Sequence, residues 1–145
     1  MMIRKLESGD LARCAELLEA AYSLPPYEEK FTPAVARAYL ESKFAYCAEH
    51  SFAAEEDGVV IGFVLVSLSV WVEGGQAIIE EIVVDPVRQG RGFGRALMDA
   101  AEEYLHKQEV HSVMLWARRD APAHGFHARS GFADSGDWVI MHKAL

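Results

Sequence analysis

The run Arg88-Gln89-Gly90-Arg91-Gly92-Phe93-Gly94-Arg95 carries the clearest chemistry in this sequence. It follows an apolar stretch ending Ile82-Val83-Val84-Asp85-Pro86 and leads into the helix-like stretch Ala96 to Leu105. A glycine-rich loop between strand and helix presents backbone N–H groups at the positive end of a helix dipole, which suits an anion and phosphate above all. Arg88, Arg91 and Arg95 add positive charge, so the loop predicts a phosphate-bearing ligand. Just upstream, Glu80 and Glu81 interrupt an apolar strand. A carboxylate there can take a proton or anchor a cation. Strand alternation predicts that the two point to opposite faces, with a bulge as the feature that would change this. Downstream, His127 can donate a proton near neutral pH. His124 lies one turn from it but lacks a set of metal-ligand partners, and no metal is expected.

These groups need a scaffold, and the sequence predicts one. Met2 to Leu6 reads as a short strand. Ser8-Gly9-Asp10 caps a helix with Leu11, Cys14, Leu17, Leu18 and Ala21 at helical spacing. Leu24-Pro25-Pro26-Tyr27 breaks it, and Thr32-Pro33 opens a second helix through Phe44. Strands follow at Ser51 to Glu55, Val59 to Trp71 and Gln76 to Val84, with turns at Glu56-Asp57-Gly58 and Glu73-Gly74-Gly75. After the loop and its helix come a buried strand from Ser112 to Ala117, a short helix from Ala121 to Ser130 closed by Gly131, and a last strand from Trp138 to His142. A further short strand near Phe132 completes the order β-α-α-β-β-β-α-β-α-β-β. Early hairpins followed by a βαβ crossover give an α/β (α+β) fold with a mixed central sheet. Trp71 and Trp116 read as packing residues.

The chain has 145 residues, 51% apolar and 25% charged, which suits one domain over residues 1–145 with a real core. A net charge of −8 argues against general nucleic-acid binding and is compatible with a cationic substrate. Cys14 and Cys47 have no metal spacing and read as buried free thiols of a reducing compartment. The N-terminus lacks the apolar stretch of a signal peptide, and no segment is apolar enough to span a membrane. A cytoplasmic location is therefore expected.

Three loop types compete for the phosphate. A Walker loop requires a Lys-Ser/Thr pair that is missing here. A dinucleotide loop requires Gly-x-Gly-x-x-Gly, and Gly90, Gly92 and Gly94 do not have that spacing. Gln89-Gly90-Arg91-Gly92-Phe93-Gly94 does fit Gln/Arg-x-x-Gly-x-Gly/Ala. With Glu80 to Pro86 before it and Ala96-Leu97 after it, the segment resembles the GNAT superfamily of acetyl-CoA-dependent N-acetyltransferases. A second stretch, Asp120 to Phe132, is similar to that family's Asn-x-x-Ala-x-x-Phe-Tyr-x-x-x-Gly-Phe segment. The element order resembles the family over nearly the whole chain.

The resemblance implies acetyl-CoA as co-substrate and a sheet whose strands 4 and 5 splay apart. Backbone amides from Gln89 to Arg95 would hold the pyrophosphate. The pantetheine arm would bond backbone near Ile82, Val83 and Val84, with Asp120 and Phe126 also on the CoA side. Asp120 replaces the family's Asn, so its amide donor is missing. His127 stands where many members carry Tyr and would protonate the CoA thiolate. Glu80, with Glu81 as the alternative, would relay the proton of the acceptor amine. Tyr27, Glu28 and Trp138 would line a pocket for a cationic amine. Direct transfer to a small cationic amine is the expected function. A protein lysine or N-terminal acetyltransferase and a non-catalytic acyl-CoA sensor are the alternatives. Trp138 to Met141 would either pair across a homodimer axis or complete the monomer's own sheet.

Overall fold

The structure is a computed structural model that describes residues 1–145. Strand β1 (Met2–Lys5) is followed by helices α1 (Leu11–Tyr22) and α2 (Pro33–Cys47). The α1 stripe of Leu11, Cys14, Leu17 and Leu18 is buried, as its spacing predicts. Thr32 Oγ1 accepts from the Val35 N–H at 3.2 Å, and Pro33 takes the first helical position, where a missing N–H costs nothing. Three strands follow, β2 (Phe52–Glu56), β3 (Val59–Trp71) and β4 (Gly74–Val84). Then come α3 (Phe93–Lys107), β5 (Val110–Leu115) and α4 (Pro122–Arg129). No helix is long and apolar enough to cross a membrane.

The five strands form one mixed sheet in the order β1-β2-β3-β4-β5. The first four are antiparallel, and β5 joins β4 in parallel after the α3 crossover. Each face carries its own core. Phe63, Leu65 and Val83 pack under α1 and α2 with Leu18 and Leu40, while Val64, Val66 and Ile79 pack under α3 with Leu97 and Met98. Burying a side chain of this size contributes roughly 1.5–3 kcal/mol.

Two irregularities in β4 position the site. Leu65 lies opposite Glu81 but Val66 lies opposite Ile79, so Glu80 is an extra residue, a β-bulge. The pairing with β5 covers only Gly75 to Ile79. From Glu80 to Val84, β4 has β3 on one side and no strand on the other, which is the splay expected between strands 4 and 5.

Four expectations need correction. The strand after α3 is not buried: His111, Ser112 and Met114 are exposed, because β5 is a sheet edge covered by α3 on one face alone. Residues 130–145 form no strand, and Trp138, Val139, Ile140 and Met141 are exposed, with no neighbouring ladder to satisfy their backbone. Trp71 and Trp116 are exposed as well, since the first ends the β3 hairpin arm and the second lies beyond β5. The turn before β4 sits at Val72-Glu73, and Gly74 and Gly75 already belong to the strand.

Candidate functional site

The glycine loop has the expected form. Gly90 and Gly92 adopt φ of +77° and +90°, a left-handed backbone that residues with a Cβ enter only at a cost. Gly92 occupies the N-cap of α3 with no capping side chain. No backbone N–H from Gln89 to Arg95 donates to a protein acceptor, and the first bond of the helix runs from Ala96 N–H to Gly92 C=O. A row of unpaired donors at a helix N-terminus is the chemistry a pyrophosphate requires. Gln89 Nε2 turns back and donates to the Val84 carbonyl at 3.2 Å. Phe93 is buried in the core under α3 and anchors the loop from below. Phe126 of α4 covers Gly94 so closely that a Cβ there would lie 3.4 Å from its ring.

The arginines are less free than the sequence suggests. Arg88 Nε and Arg91 Nη2 both donate to Glu56, at 3.0 and 2.7 Å, and Arg88 Nη1 also reaches Asp85 at 2.8 Å. Hydrogen bonds from Arg88 and then Arg91 hold the Glu56 carboxyl below its usual range. Arg95 is mostly exposed, with Asp99 at 3.8 Å.

The glutamates depart from the expectation that they point to opposite faces. The bulge puts both on the side of α1 and α2. Glu81 accepts a hydrogen bond from Tyr22 Oη at its Oε1 and another from Tyr39 Oη at its Oε2, each 2.8 Å. Burial pushes its carboxyl up, and the two phenols partly offset this by stabilising the charged form. Glu80 accepts from Lys43 Nζ at 2.8 Å and from Ser67 Oγ at 2.9 Å. Burial acts to lower the Lys43 ammonium, but bonds to Glu80 and Tyr46 outweigh it and hold it above its usual value. Aromatic rings wall this cluster. Tyr22 packs against Tyr27 and Phe31 at centroid distances of 4.9 and 5.7 Å, and Phe31 meets Tyr39 at 6.2 Å. Rings around a desolvated carboxylate suit a cation.

Of the three residues expected to line an acceptor pocket, Tyr27 lies beside this cluster, against Tyr22. Glu28 lies apart from the cluster: it is exposed, at φ +49°. Trp138 is 82% exposed in the C-terminal coil and is not brought together with the glutamates. Asp120 faces Arg118, in a two-pronged pair at 2.8 and 2.9 Å. Arg118 in turn donates to the Pro26 carbonyl at 3.0 Å and lies over the Tyr27 ring. The β5–α4 loop is thereby tied to the α1–α2 loop across the mouth of the site.

His127 is 6% exposed and packs between the rings of Phe126 and Phe132. Its Nδ1 is buried with no hydrogen-bond partner, and burial, helped by His124, lowers its pKa. An unsatisfied buried nitrogen is costly and uncommon, and it marks a place for a polar partner. Gly131 ends the helix at φ +96°: Phe132 N–H donates to His127 C=O and Gly131 N–H to Ala128 C=O, the Schellman arrangement. No hydrogen bond links His127 to the glutamates. Cys14 and Cys47 are fully buried, and burial pushes both thiols up to about 12, so neither is a nucleophile.

Tyr22, Tyr39, Lys43, Ser67, Glu56 and Arg118 carry no sequence signal of a site. Nothing local marks them, because each partner lies far along the chain or depends on how a loop turns.

Two of the surface depressions, about 270 and 310 Å³, lie between α3 and α4 around Glu102 and Gly131, away from the glutamates.

Comparison with known proteins bears on the family and the fold. The profile of the Acetyltransferase (GNAT) family matches residues 11–132. A mycothiol acetyltransferase from Clavibacter michiganensis subsp. michiganensis is 37% identical over 93 residues, covering 63% of this chain and 29% of that protein. A streptothricin acetyltransferase from Streptomyces lavendulae is 36% identical over 81 residues, covering 55% of this chain and 42% of that protein. The chain thus spans less than half the length of these two relatives. The crystal structure of a transcriptional regulator from Bacillus halodurans C-125 superposes with a TM-score of 0.78, covering 98% of this chain and 99% of that one at 21% identity. That likeness speaks to the fold.

Proposed function

The chain belongs to the GNAT acetyltransferase family, and from that membership we propose that it transfers the acetyl group of acetyl-CoA directly to the primary amine of a small cationic molecule. One observation carries the acceptor side: the half-buried Glu81 carboxylate, held by two tyrosine hydroxyls and walled by Tyr27 and Phe31, next to the point where β4 parts from β5. The unpaired amides from Gln89 to Arg95 fit the donor's pyrophosphate, and the open edge of β4 at Ile82 to Val84 fits its amide-bearing arm. The names of the two relatives support a small-molecule acceptor over a protein.

An alkylamine is neutral in only about one part in 10³ to 10⁴ at pH 7, a cost of roughly 4–5 kcal/mol. Glu81 is the group placed to lower that cost. Its raised pKa brings it nearer neutral pH, where a general base acts best. Glu80 is occupied by Lys43 and Ser67 and sets the charge beside it. Backbone amides at the end of β4 would polarise the thioester carbonyl. His127, with one nitrogen still unpaired, is the candidate donor to the departing thiolate.

The test is CoA release from acetyl-CoA across a panel of polyamines, aminoglycosides, amino acids and lysine peptides. A cationic small amine should be turned over. Glu81→Gln should lose on the order of 100-fold in kcat with CoA binding retained. Tight CoA binding with no turnover of any amine would instead mark a sensor.

A further inference from the structure

Lys43 is the amine that the site itself presents. Its Nζ lies 2.8 Å from Glu80 Oε2, and Ser67 Oγ fixes the other oxygen at 2.9 Å. Glu80 is the bulged residue, so this ion pair shares a face with Glu81. The Lys43 Nζ is also 5.7 Å from the ring centroid of Tyr39, whose hydroxyl holds Glu81. Lys43 is one-quarter exposed and Glu80 less so, so the pair is half-buried yet still reachable. The other lysines are elsewhere. Lys5 donates to the Glu49 carbonyl beside Phe52 and Tyr104, Lys107 pairs with Glu103 on α3, and Lys30 and Lys143 lie in exposed coil.

We propose that Lys43 is an acetyl acceptor in its own right, modified by the chain's own acetyl-CoA. This rests on the acetyl-transfer reading above. An external amine would have to approach the two adjacent carboxylates, one of which Lys43 already touches, so Lys43 meets a proton acceptor without a binding step. In the step, the ammonium passes one proton to Glu80. Its Nζ then attacks the thioester carbon, the N–C amide bond forms and the C–S bond breaks. The second nitrogen proton ends on the CoA thiol, and Glu80 returns its own to water. Acetylation removes the positive charge and leaves Glu80 with Ser67 alone, freeing a carboxylate for a cationic acceptor.

The experiment incubates the full chain with acetyl-CoA and maps acetylation of all five lysines by peptide mass spectrometry over time, with CoA affinity measured by calorimetry. Lys43 should gain its acetyl group at least about tenfold faster than Lys30, and excess CoA should suppress Lys43 alone. Lys43→Arg keeps the cation on Glu80 and should bind CoA normally while losing the fast modification. CoA binding and turnover of an external amine, with Lys43 modified no faster than Lys30, would overturn the proposal and leave the enzyme reading standing. Failure to bind CoA would overturn both.

Discussion

Replacing Tyr22 with Phe removes one of the two hydroxyls on Glu81 and leaves the ring packing against Tyr27 and Phe31 in place. A hydrogen bond to a charged group contributes about 1.5–3 kcal/mol and one to a neutral group about 0.5–1.5 kcal/mol. The loss therefore depends on whether Glu81 carries its charge. Its folded pKa lies above the unfolded value, because burial opposes ionisation. As pH rises past the unfolded value the unfolded chain sheds this proton first, so stability falls until the folded value is reached and then levels off. The phenols limit that fall, and Tyr22→Phe enlarges it. Urea denaturation should show Tyr22→Phe destabilised by about 2 kcal/mol at pH 7.5 and by about 1 kcal/mol near pH 3, where the carboxyl is protonated in both states. At neutral pH the midpoint of thermal unfolding should drop by roughly 4–8 °C. The acid limb of the kcat profile should move up by about one pH unit, since 1.36 kcal/mol corresponds to one unit. Tyr39→Phe should behave alike, and the double variant should depart from additivity, because both hydroxyls share one carboxylate. Equal destabilisation at the two pH values together with an unmoved acid limb would refute an ionised, tyrosine-held Glu81.

Three other perturbations test separate parts of the structure. A Cβ on Gly62 would sit 2.9 Å from the Val83 carbonyl, which is backbone and cannot swing away, so Gly62→Ala should cost about 1–3 kcal/mol in chemical denaturation and weaken CoA binding through the displaced β4 edge. His127→Phe removes an unsatisfied buried nitrogen, so thermal stability should hold or rise while kcat falls at least about tenfold with CoA affinity unchanged; unchanged kcat would remove His127 from the mechanism. Asp120→Asn loosens the Arg118 link to the α1–α2 loop, so trypsin should cut faster at Lys30 while CoA affinity, measured by calorimetry, stays within about threefold; a large change in CoA affinity with unaltered proteolysis would return Asp120 to the CoA side.

What the sequence determined by itself was local or repeated along the chain. The glycine-rich turn between strand and helix at Gly90 to Gly94, the Thr32-Pro33 helix start, the Gly131 stop and the apolar stripe of α1 depend on neighbours a few residues away, so residue type and spacing sufficed. The mixed sheet followed from the order of such elements. What only the tertiary structure decided depends on register and on distant partners. Glu80 and Glu81 share a face because β4 carries one more residue than β3 at that point, and a bulge is a property of two paired strands. Tyr22, Tyr39 and Lys43 reach those carboxylates from helices 59, 42 and 37 residues earlier, and Glu56 captures Arg88 and Arg91 across 32 and 35 residues. The strand predicted at Trp138 to His142 failed for the same reason in reverse. Its residues have the right types, but a strand exists only where another backbone accepts its hydrogen bonds, and none does so here.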